Sequence, residues 1–475
     1  MKVLLAFLAN TATNFIIGLM VAKFLGPEEY GRFALAFSIA VVVQTALYDW
    51  LRLSATRFYS QRTRENEPVI RSTLGTSFVV VSVFLALSTL LYSLVGPELD
   101  FDSELILLAL LTATANGLFD YSTALARARF EDGAYGRLVF VKNILAFILL
   151  GGGAFIFHSA GVALAGGVAS LLGSVFLTRA SLRDPDARCL GAKRETAKLL
   201  IAYSAPIVAA HLLYTSMPLA ARSIVASVYD FAETGQFALA YDLGMRAIMA
   251  FGSALDVLLF QIAVAAHEEH GEDRARVQVA HNMSVVFAFL LPACAGLWLV
   301  LPSVEALIVP AQFRGPFGHY LGLLMPGLFA MGIINFGLNP VFQISKRTGP
   351  LIAAALAAAV TSLTLLFALP WGADASNLAV AQAGGYLAAL AATIFFVLKA
   401  QPVWPSFWDL LAAIVATGVM LVALIPMRSM APGFATLLLQ IFSGGAIYGV
   451  MVAAFDIAGL RTQAIAWLRP RLQRA

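Results

Sequence analysis

The stretch "LGPEEYGRFALAFSIA" covers residues 25–40, and a similar stretch, "FAETGQFALAYDLG", covers residues 231–244. In both, a glutamate, a glycine two residues later and then Phe-Ala-Leu-Ala stand at the same spacing, 204 residues apart. A pattern that returns once in a long chain is typical of a protein built from two similar halves. We expect Gly26, Gly31 and Gly235 to form turns at the start of each copy, because glycine tolerates positive φ.

The composition places the chain in a membrane. Of its 475 residues, 60% are hydrophobic and 12% are charged, and the mean hydropathy is +0.83. Soluble domains carry about 25% charged residues, so this chain has too little polar surface for water and must lie in a bilayer. We expect membrane lipids as partners and no nucleic acid. Two cysteines, Cys189 and Cys294, are too few for a disulfide framework or a metal cluster, and we expect no metal and no cofactor.

Stretches of about 20 apolar residues, the length that crosses a bilayer, recur along the whole chain. The first follows Lys2 and resembles a secretion signal, but it is longer than a typical signal core and Asn10 and Asn14 interrupt it. We interpret it as a retained first span. Fourteen transmembrane helices are predicted, at about residues 3–24, 33–53, 73–95, 104–124, 138–157, 160–179, 200–229, 237–264, 281–304, 321–343, 351–371, 378–398, 408–427 and 434–456.

The basic residues predict the orientation of these spans. If the N-terminus is cytoplasmic, 23 of the 31 Lys and Arg residues fall in cytoplasmic segments and four fall in external ones. Membrane proteins retain positive charge on the cytoplasmic side. We therefore expect both termini and the segments 57–71 and 179–198 in the cytoplasm, and the segments 28–31 and 231–235 outside.

The two copies of the repeat stand at the starts of predicted spans two and eight. Six spans separate them, and an even number gives both copies the same orientation, as in parallel halves related by an axis along the membrane normal. The predicted fold class is an all-α integral membrane protein. Its predicted parts are two pseudo-symmetric six-helix bundles at 1–180 and 200–400, a cytoplasmic linker at 181–199, and two extra transmembrane helices with a basic cytoplasmic tail at 401–475.

Three stretches resemble one known family. "AKFLGPEEYGRFALAFSIA" (22–40) resembles the signature that follows the first span of bacterial polysaccharide transporters. "LAARSIVASVYDFAETGQFALAYDL" (219–243) resembles their second-half signature, with Arg222 in the family's arginine position and Ala221 where the family has an aspartate. "ISKRTGP" (344–350) resembles the family's basic turn between spans ten and eleven.

This resemblance implies a function. The family consists of flippases for lipid-linked oligosaccharides of cell-surface polysaccharides such as lipopolysaccharide O-antigen and exopolysaccharide, and it shares a superfamily with the multidrug-and-toxin exporters and the lipid II flippase. The implied partners are a polyprenyl-pyrophosphate-linked oligosaccharide and a polysaccharide polymerase, and the implied location is the cell inner membrane. A flippase moves its cargo by alternating access and is not an enzyme, so no catalytic residue is expected.

Charged residues inside the predicted spans need a reason, because each costs about 2.5–3.5 kcal/mol at the centre of a membrane helix. Arg222 in span seven and Asp242 in span eight lie at similar depth, and Arg246 lies one helical turn beyond Asp242. Two arginines against one aspartate leave a positive charge, and a guanidinium binds a phosphate with two donors. We expect these three residues to bind the cargo head group. A purely structural salt bridge to Asp242 is the alternative.

Three further acids in the predicted spans, Asp49, Asp120 and Asp256, are candidate sites for a coupling proton or cation. Near the cytoplasmic face, Asp49, Arg52 and Lys142 could instead extend their side chains to water. Polar residues that could bind sugar hydroxyls, or form hydrogen bonds between helices, are Asn10, Asn14, Gln44, Asn116, His211, Tyr214, Asn335, Asn339 and Gln343.

Two other functions remain as alternatives. A drug/cation antiporter of the same superfamily would favour an acidic cavity, and the Arg222–Arg246 region is basic. A membrane glycosyltransferase would use an acidic pair such as Asp100 and Asp102 with a metal, but such enzymes usually add a large external domain, and no predicted loop is long enough for one.

Overall fold

The computed structural model describes residues 2–59, 68–95, 101–182, 191–344, 349–400, 403–463 and 465. These residues form sixteen α-helices with short 3₁₀ and π segments, and they contain no β-strand. The predicted all-α membrane fold is therefore confirmed. Asp100, one of the two acids of the glycosyltransferase alternative, lies outside the described residues, as do the side chains of Asp256 and Gln343.

The helices of the N-terminal part are mostly long enough to cross a bilayer. A π-helical segment, Ala146–Gly151, joins two of them, α5 and α6, into one continuous span. The bounds are α1 Lys2–Leu47, α2 Asp49–Phe58, α3 Pro68–Val95, α4 Ser103–Ala128, α5 Asp132–Leu145, α6 Gly152–Phe157, α7 Ala160–Leu177 and α8 Arg194–Val228.

The C-terminal part continues in the same way. A second π-helical segment, Ile333–Leu338, joins α11 to α12. The 20 residues of α13 are about 30 Å long, the thickness of a bilayer core. The bounds are α9 Phe231–His270, α10 Glu272–Leu307, α11 Pro316–Gly332, α12 Asn339–Ile344, α13 Gly349–Ala368, α14 Ser376–Ala400, α15 Phe407–Leu424 and α16 Phe434–Phe455.

Twelve stretches of the described residues are long and apolar enough to cross a membrane. One of them, Asn10–Leu47, overlaps the first two predicted spans, at 3–24 and 33–53. The eighth predicted span corresponds to α9, which is outside the twelve and contains side chains that the structure does not describe. Each of the fourteen predicted spans thus overlaps a helix of the structure, and twelve stretches of the described residues meet the length and hydropathy of a membrane span.

Packing divides the chain into two compact units, Met1–Ala238 and Leu239–Ala475. The dividing point falls inside α9, because α8 packs along α1 and α2 and so belongs to the first unit. The predicted boundaries at 180, 200 and 400 follow the sequence repeat rather than packing, and they stay a prediction.

The first copy of the repeat contains a break in α1 at Gly26. Its φ of 75° and ψ of 174° lie outside the helical region, and Pro27 follows it as the first residue of the second arm. The expected positive φ is therefore confirmed for Gly26. For Gly31 and Gly235 the expectation is wrong, because both lie in helices and neither has positive φ.

These two glycines have a different role, which is close packing. A Cβ on Gly31 would stand 1.9 Å from the carbonyl oxygen of Phe231, and a Cβ on Gly235 would stand 2.0 Å from the carbonyl oxygen of Pro27. The start of α9 therefore crosses the second arm of α1 with the two backbones in contact. Glycine is required here because no Cβ fits between the helices.

Candidate functional site

The polar segment around the break at Gly26 contacts the loop between α6 and α7 and the start of α7. The carbonyl oxygen of Phe24 lies 2.7 Å from Nδ1 of His158. Glu29 Oε2 accepts a hydrogen bond of 2.7 Å from the backbone N–H of Ala160, the first residue of α7. Glu29 thus satisfies one of the free N–H groups at the start of that helix. The polar segment of the first copy is held in place by the loop between α6 and α7.

The second copy begins with its own cap and meets the first copy through an aromatic contact. Asp230 Oδ1 accepts a hydrogen bond of 2.6 Å from the backbone N–H of Glu233, in the first turn of α9. The guanidinium of Arg32 lies 4.5 Å from the ring centroid of Phe231, a cation–π contact. Polar residues of the repeat therefore hold the helix ends next to the Gly31–Gly235 crossing.

Arg222 is buried beside the first copy of the repeat. Arg222 is 3% exposed. Its Nη1 donates hydrogen bonds to Ser38 Oγ, at 2.6 Å, and to the carbonyl oxygen of Ala34, at 3.1 Å. Ser38 Oγ also donates to the carbonyl oxygen of Ala34, at 2.8 Å. Arg222 therefore links α8 to the Phe-Ala-Leu-Ala segment of α1, a contact that the sequence analysis missed.

The other two residues expected at the head group, Asp242 and Arg246, belong to the second unit. They lie one helical turn apart on α9, and both are half-buried. The expected binding of a head group by these two residues stays a prediction.

Two of the three candidate coupling acids lie in the first unit, and both have polar partners. Asp49 is 8% exposed. Its Oδ1 accepts a hydrogen bond of 3.3 Å from Arg52 Nε, and its Oδ2 lies 3.7 Å from Nδ1 of His211. Asp120 Oδ2 accepts a hydrogen bond of 2.8 Å from Gln44 Nε2. The alternative that Asp49 extends its side chain to water is wrong, because its carboxylate points into the protein.

Asn10 and Asn14 contact two residues of α5. Lys142 Nζ donates to Asn14 Oδ1 at 2.7 Å and to Asn143 Oδ1 at 3.2 Å. Asn143 Nδ2 and Asn14 Nδ2 both donate to Asn10 Oδ1, at 2.9 Å and 3.1 Å. The four side chains form a closed ring, here called the amide–lysine ring. Sequence analysis missed Asn143, although its position next to a lysine inside a span was a signal.

Two of the remaining polar candidates pair with each other. Asn339 Nδ2 donates to Asn335 Oδ1 at 3.3 Å, one turn away on the same span. Asn116 on α4 and Tyr214 on α8 are half-buried. The second unit also holds a buried polar group that the sequence analysis missed: Tyr241 and Tyr386 place their hydroxyls 2.9 Å apart. No sequence signal connects two tyrosines so far apart in the chain.

The described residues offer little that resembles an enzyme site. None of them form a group of three or more His, Cys, Asp or Glu side chains that could hold a metal ion. His319 Nε2 lies 2.6 Å from Ser376 Oγ and 3.8 Å from Asp374 Oδ2. In a serine hydrolase the acid binds the other ring nitrogen. Hydrogen bonds from Ser376 instead lower the pKa of Asp374, so this group is a stable polar cap at the start of α14.

The chain matches one family model over residues 19–313, well over half of its length, and the family is described as polysaccharide biosynthesis protein. The matched region contains both copies of the repeat. No curated protein is similar enough to match.

Several solved structures share the fold. The inward closed conformation of the lipid II flippase MurJ superposes with a TM-score of 0.72 at 14% identity, over 95% of this chain and 98% of that chain. The multidrug transporter DinF-BH gives 0.61 at 14% identity, over 83% and 92%. A transporter of the MOP superfamily from Pyrococcus furiosus gives 0.52 at 13% identity, over 87% and 94%. At these identities the likeness shows a multi-pass membrane transporter fold.

Proposed function

Because this chain belongs to the polysaccharide biosynthesis protein family, we propose that it is a flippase for a lipid-linked oligosaccharide. The cargo is a polyprenyl-(pyro)phosphate-linked oligosaccharide, which the protein moves from the cytoplasmic to the periplasmic leaflet for cell-surface polysaccharide synthesis. The family match across both copies of the repeat is the observation that carries this proposal. The likeness to a lipid II flippase supports the fold that such transport needs.

In this proposal the protein works by alternating access, in which the two halves of the chain move against each other. The oligosaccharide crosses the membrane through the protein while the polyprenyl tail stays in the bilayer. The protein makes and breaks no covalent bond, so its task is to hold the charged head group and to shield it from the membrane core.

Arg246 is the proposed first ligand of the head group. It is half-buried on α9, and a guanidinium donates two parallel hydrogen bonds to a phosphate. Arg222 would join the head group only in a conformation that replaces its bonds to Ser38 and Ala34. Asp242, one turn from Arg246, would limit the net positive charge and allow the cargo to leave.

The proposal includes an orientation of the chain in the membrane. The excess of Lys and Arg in the segments expected to be cytoplasmic, 23 against four, favours cytoplasmic termini and insertion in the bacterial inner membrane. A polysaccharide polymerase on the periplasmic side is the proposed next partner, because it would consume the flipped oligosaccharide. Asp49, Asp120 and Asp256 remain the candidates for a coupling ion.

Deleting the gene for this protein in the bacterium that carries it tests the proposal. We expect oligosaccharide to accumulate on the polyprenyl carrier in the cytoplasmic leaflet and the surface polysaccharide to disappear, and we expect the wild-type chain to restore both. An unchanged surface polysaccharide together with increased sensitivity to cationic dyes would contradict the proposal and favour the antiporter alternative.

A further inference from the structure

The amide–lysine ring joins α1 to α5 and holds the positive charge of Lys142 between the two helices. Lys142 Nζ donates to Asn14 Oδ1 at 2.7 Å and to Asn143 Oδ1 at 3.2 Å. An ammonium has three donors and no acceptor, so both atoms that face it must be amide oxygens. The lysine therefore fixes which way these two amides point.

Asn10 holds the amides in that direction from the other side. Its Oδ1 accepts Nδ2 of Asn143 at 2.9 Å and Nδ2 of Asn14 at 3.1 Å. With both nitrogens bound to Asn10, both oxygens converge on the position of the ammonium. Two carbonyl dipoles aimed at one point create a site for positive charge, and the ammonium of Lys142 occupies it.

The ring faces away from the lipid. Along α5 and the following π segment, Phe140 is 65% exposed, Ile144 43% and Ile148 57%, and they share one face of the helix. Lys142 is two residues from Phe140 and two from Ile144, about 200° around the helix from each. Asn143 itself is 8% exposed. The lysine therefore points into the protein rather than along the helix toward water.

We propose that the ammonium of Lys142 is a built-in monovalent cation, occupying an amide-oxygen site that would otherwise take Na⁺ or K⁺. Converging carbonyl oxygens are the ligands with which membrane proteins replace the hydration shell of these ions. A free Na⁺ or K⁺ in such a site would exchange with ions in the surrounding water. The ammonium of Lys142 cannot exchange, because it is covalently part of the chain.

One consequence rests on the proposed transport function. If a fixed charge fills this site, the amide–lysine ring does not take up the coupling ion, and coupling must use other groups such as Asp49, Asp120 or Asp256. The site itself is tested without transport, so its failure and the failure of the flippase proposal are distinguishable.

The test measures the thermal stability of the purified full-length protein in NaCl, in KCl and in N-methyl-glucamine chloride at the same ionic strength. We expect the wild-type Tm to be the same in all three. Lys142→Ala removes the ammonium and leaves space for an ion, so Na⁺ or K⁺ should raise its Tm by about 2 °C or more. Lys142→Met is the matched control, because its side chain fills the space without a charge and its Tm should not respond.

A second substitution assigns the response to the ring. Asn14→Leu in the Lys142→Ala background should abolish the ion dependence, because it removes one of the two converging oxygens. An unresponsive Lys142→Ala protein would overturn the proposal, and so would a wild-type Tm that rises in Na⁺ or K⁺ and loses this rise with Asn14→Leu.

If Lys142→Ala cannot be purified in folded form, the Asn14→Asp variant with Lys142 intact tests the proposal instead. A carboxylate beside a permanently filled site pairs with the lysine, so the Tm of Asn14→Asp should be equal in the three salts. A Tm that rises in Na⁺ or K⁺ would mean that an exchangeable ion enters the site, and would overturn the proposal.

Discussion

Gly31 and Gly235, the glycines of the two repeat copies, pack against each other. A Cβ on Gly31 would stand 2.9 Å from the backbone nitrogen of Gly235, and a Cβ on Gly235 would stand 3.0 Å from the backbone nitrogen of Gly31. The second arm of α1 and the start of α9 cross at this point, and neither helix has room for a Cβ there. The repeated glycine is thus a packing requirement that the two copies share.

Alanine at either glycine should destabilise the protein. Gly31→Ala or Gly235→Ala places a methyl group about 2 Å from a backbone oxygen, and neither backbone can move without separating the helices. We expect a loss of about 1–3 kcal/mol or more, the usual cost of overpacking, measured as a lower Tm of the purified protein.

Gly136→Ala in α5 is the matched control, since a Cβ there meets nothing within 4 Å. It should leave the Tm unchanged or raise it slightly, because alanine favours a helix. Alanine variants of Gly31 and Gly235 as stable as Gly136→Ala would contradict the crossing.

Arg222→Gln should act mainly on stability. It removes charge-assisted hydrogen bonds to Ser38 and Ala34 from a buried place, at a cost of about 1.5–3 kcal/mol. A double-mutant cycle of Arg222→Gln with Ser38→Ala, followed by thermal unfolding, measures the coupling between the two side chains. Additive effects of the two substitutions would argue against the contact.

Arg246→Gln should act mainly on head-group binding. Losing one charge-assisted contact to phosphate is expected to weaken binding of a polyprenyl-pyrophosphate sugar by the folded protein roughly tenfold to hundredfold. Arg246→Lys should restore part of the affinity, because a point charge replaces a two-pronged donor. Wild-type affinity in a folded Arg222→Gln/Arg246→Gln double variant would remove both arginines from the head group.

The orientation of the chain can be tested with its own cysteine. Cys189 lies in the predicted cytoplasmic linker, and a Cys294→Ser background leaves it as the single thiol. A membrane-impermeant maleimide should not label Cys189 in intact cells and should label it after lysis. Glu28→Cys, at a side chain that is 66% exposed, should be labelled in intact cells. Labelling of Cys189 but not of Glu28→Cys in intact cells would show that the predicted orientation is reversed.

Sequence reasoning predicted the elements of this fold well because membrane helices follow from hydropathy. The break at Gly26 was also predictable, since Gly-Pro and two acids cannot continue a membrane helix. The partner of Gly31 was not, because a helix crossing depends on which distant segment packs there, and the sequence repeat records only that both sites need glycine.

The polar groups show the same limit. The sequence placed Arg222, Asn10, Asn14 and Lys142 inside spans, where each needs a partner. It could not choose the partners, because a serine hydroxyl and a backbone carbonyl accept hydrogen bonds from an arginine as an aspartate does, although only the aspartate balances its charge. The hydrogen bonds of Arg222 to Ser38 and Ala34 follow only from the packing of α8 on α1.

Flipping by the purified protein in liposomes tests the central claim most directly. A fluorescent polyprenyl-pyrophosphate oligosaccharide is placed in both leaflets, and an impermeant quencher or glycosidase reports the fraction that stays protected inside. With active protein we expect the protected fraction to fall from about half toward zero, and folded Arg246→Gln protein should slow this fall. If about half of the cargo stays protected with folded wild-type protein, at neutral pH and with Na⁺ and proton gradients of either sign, the chain is not a flippase for this cargo.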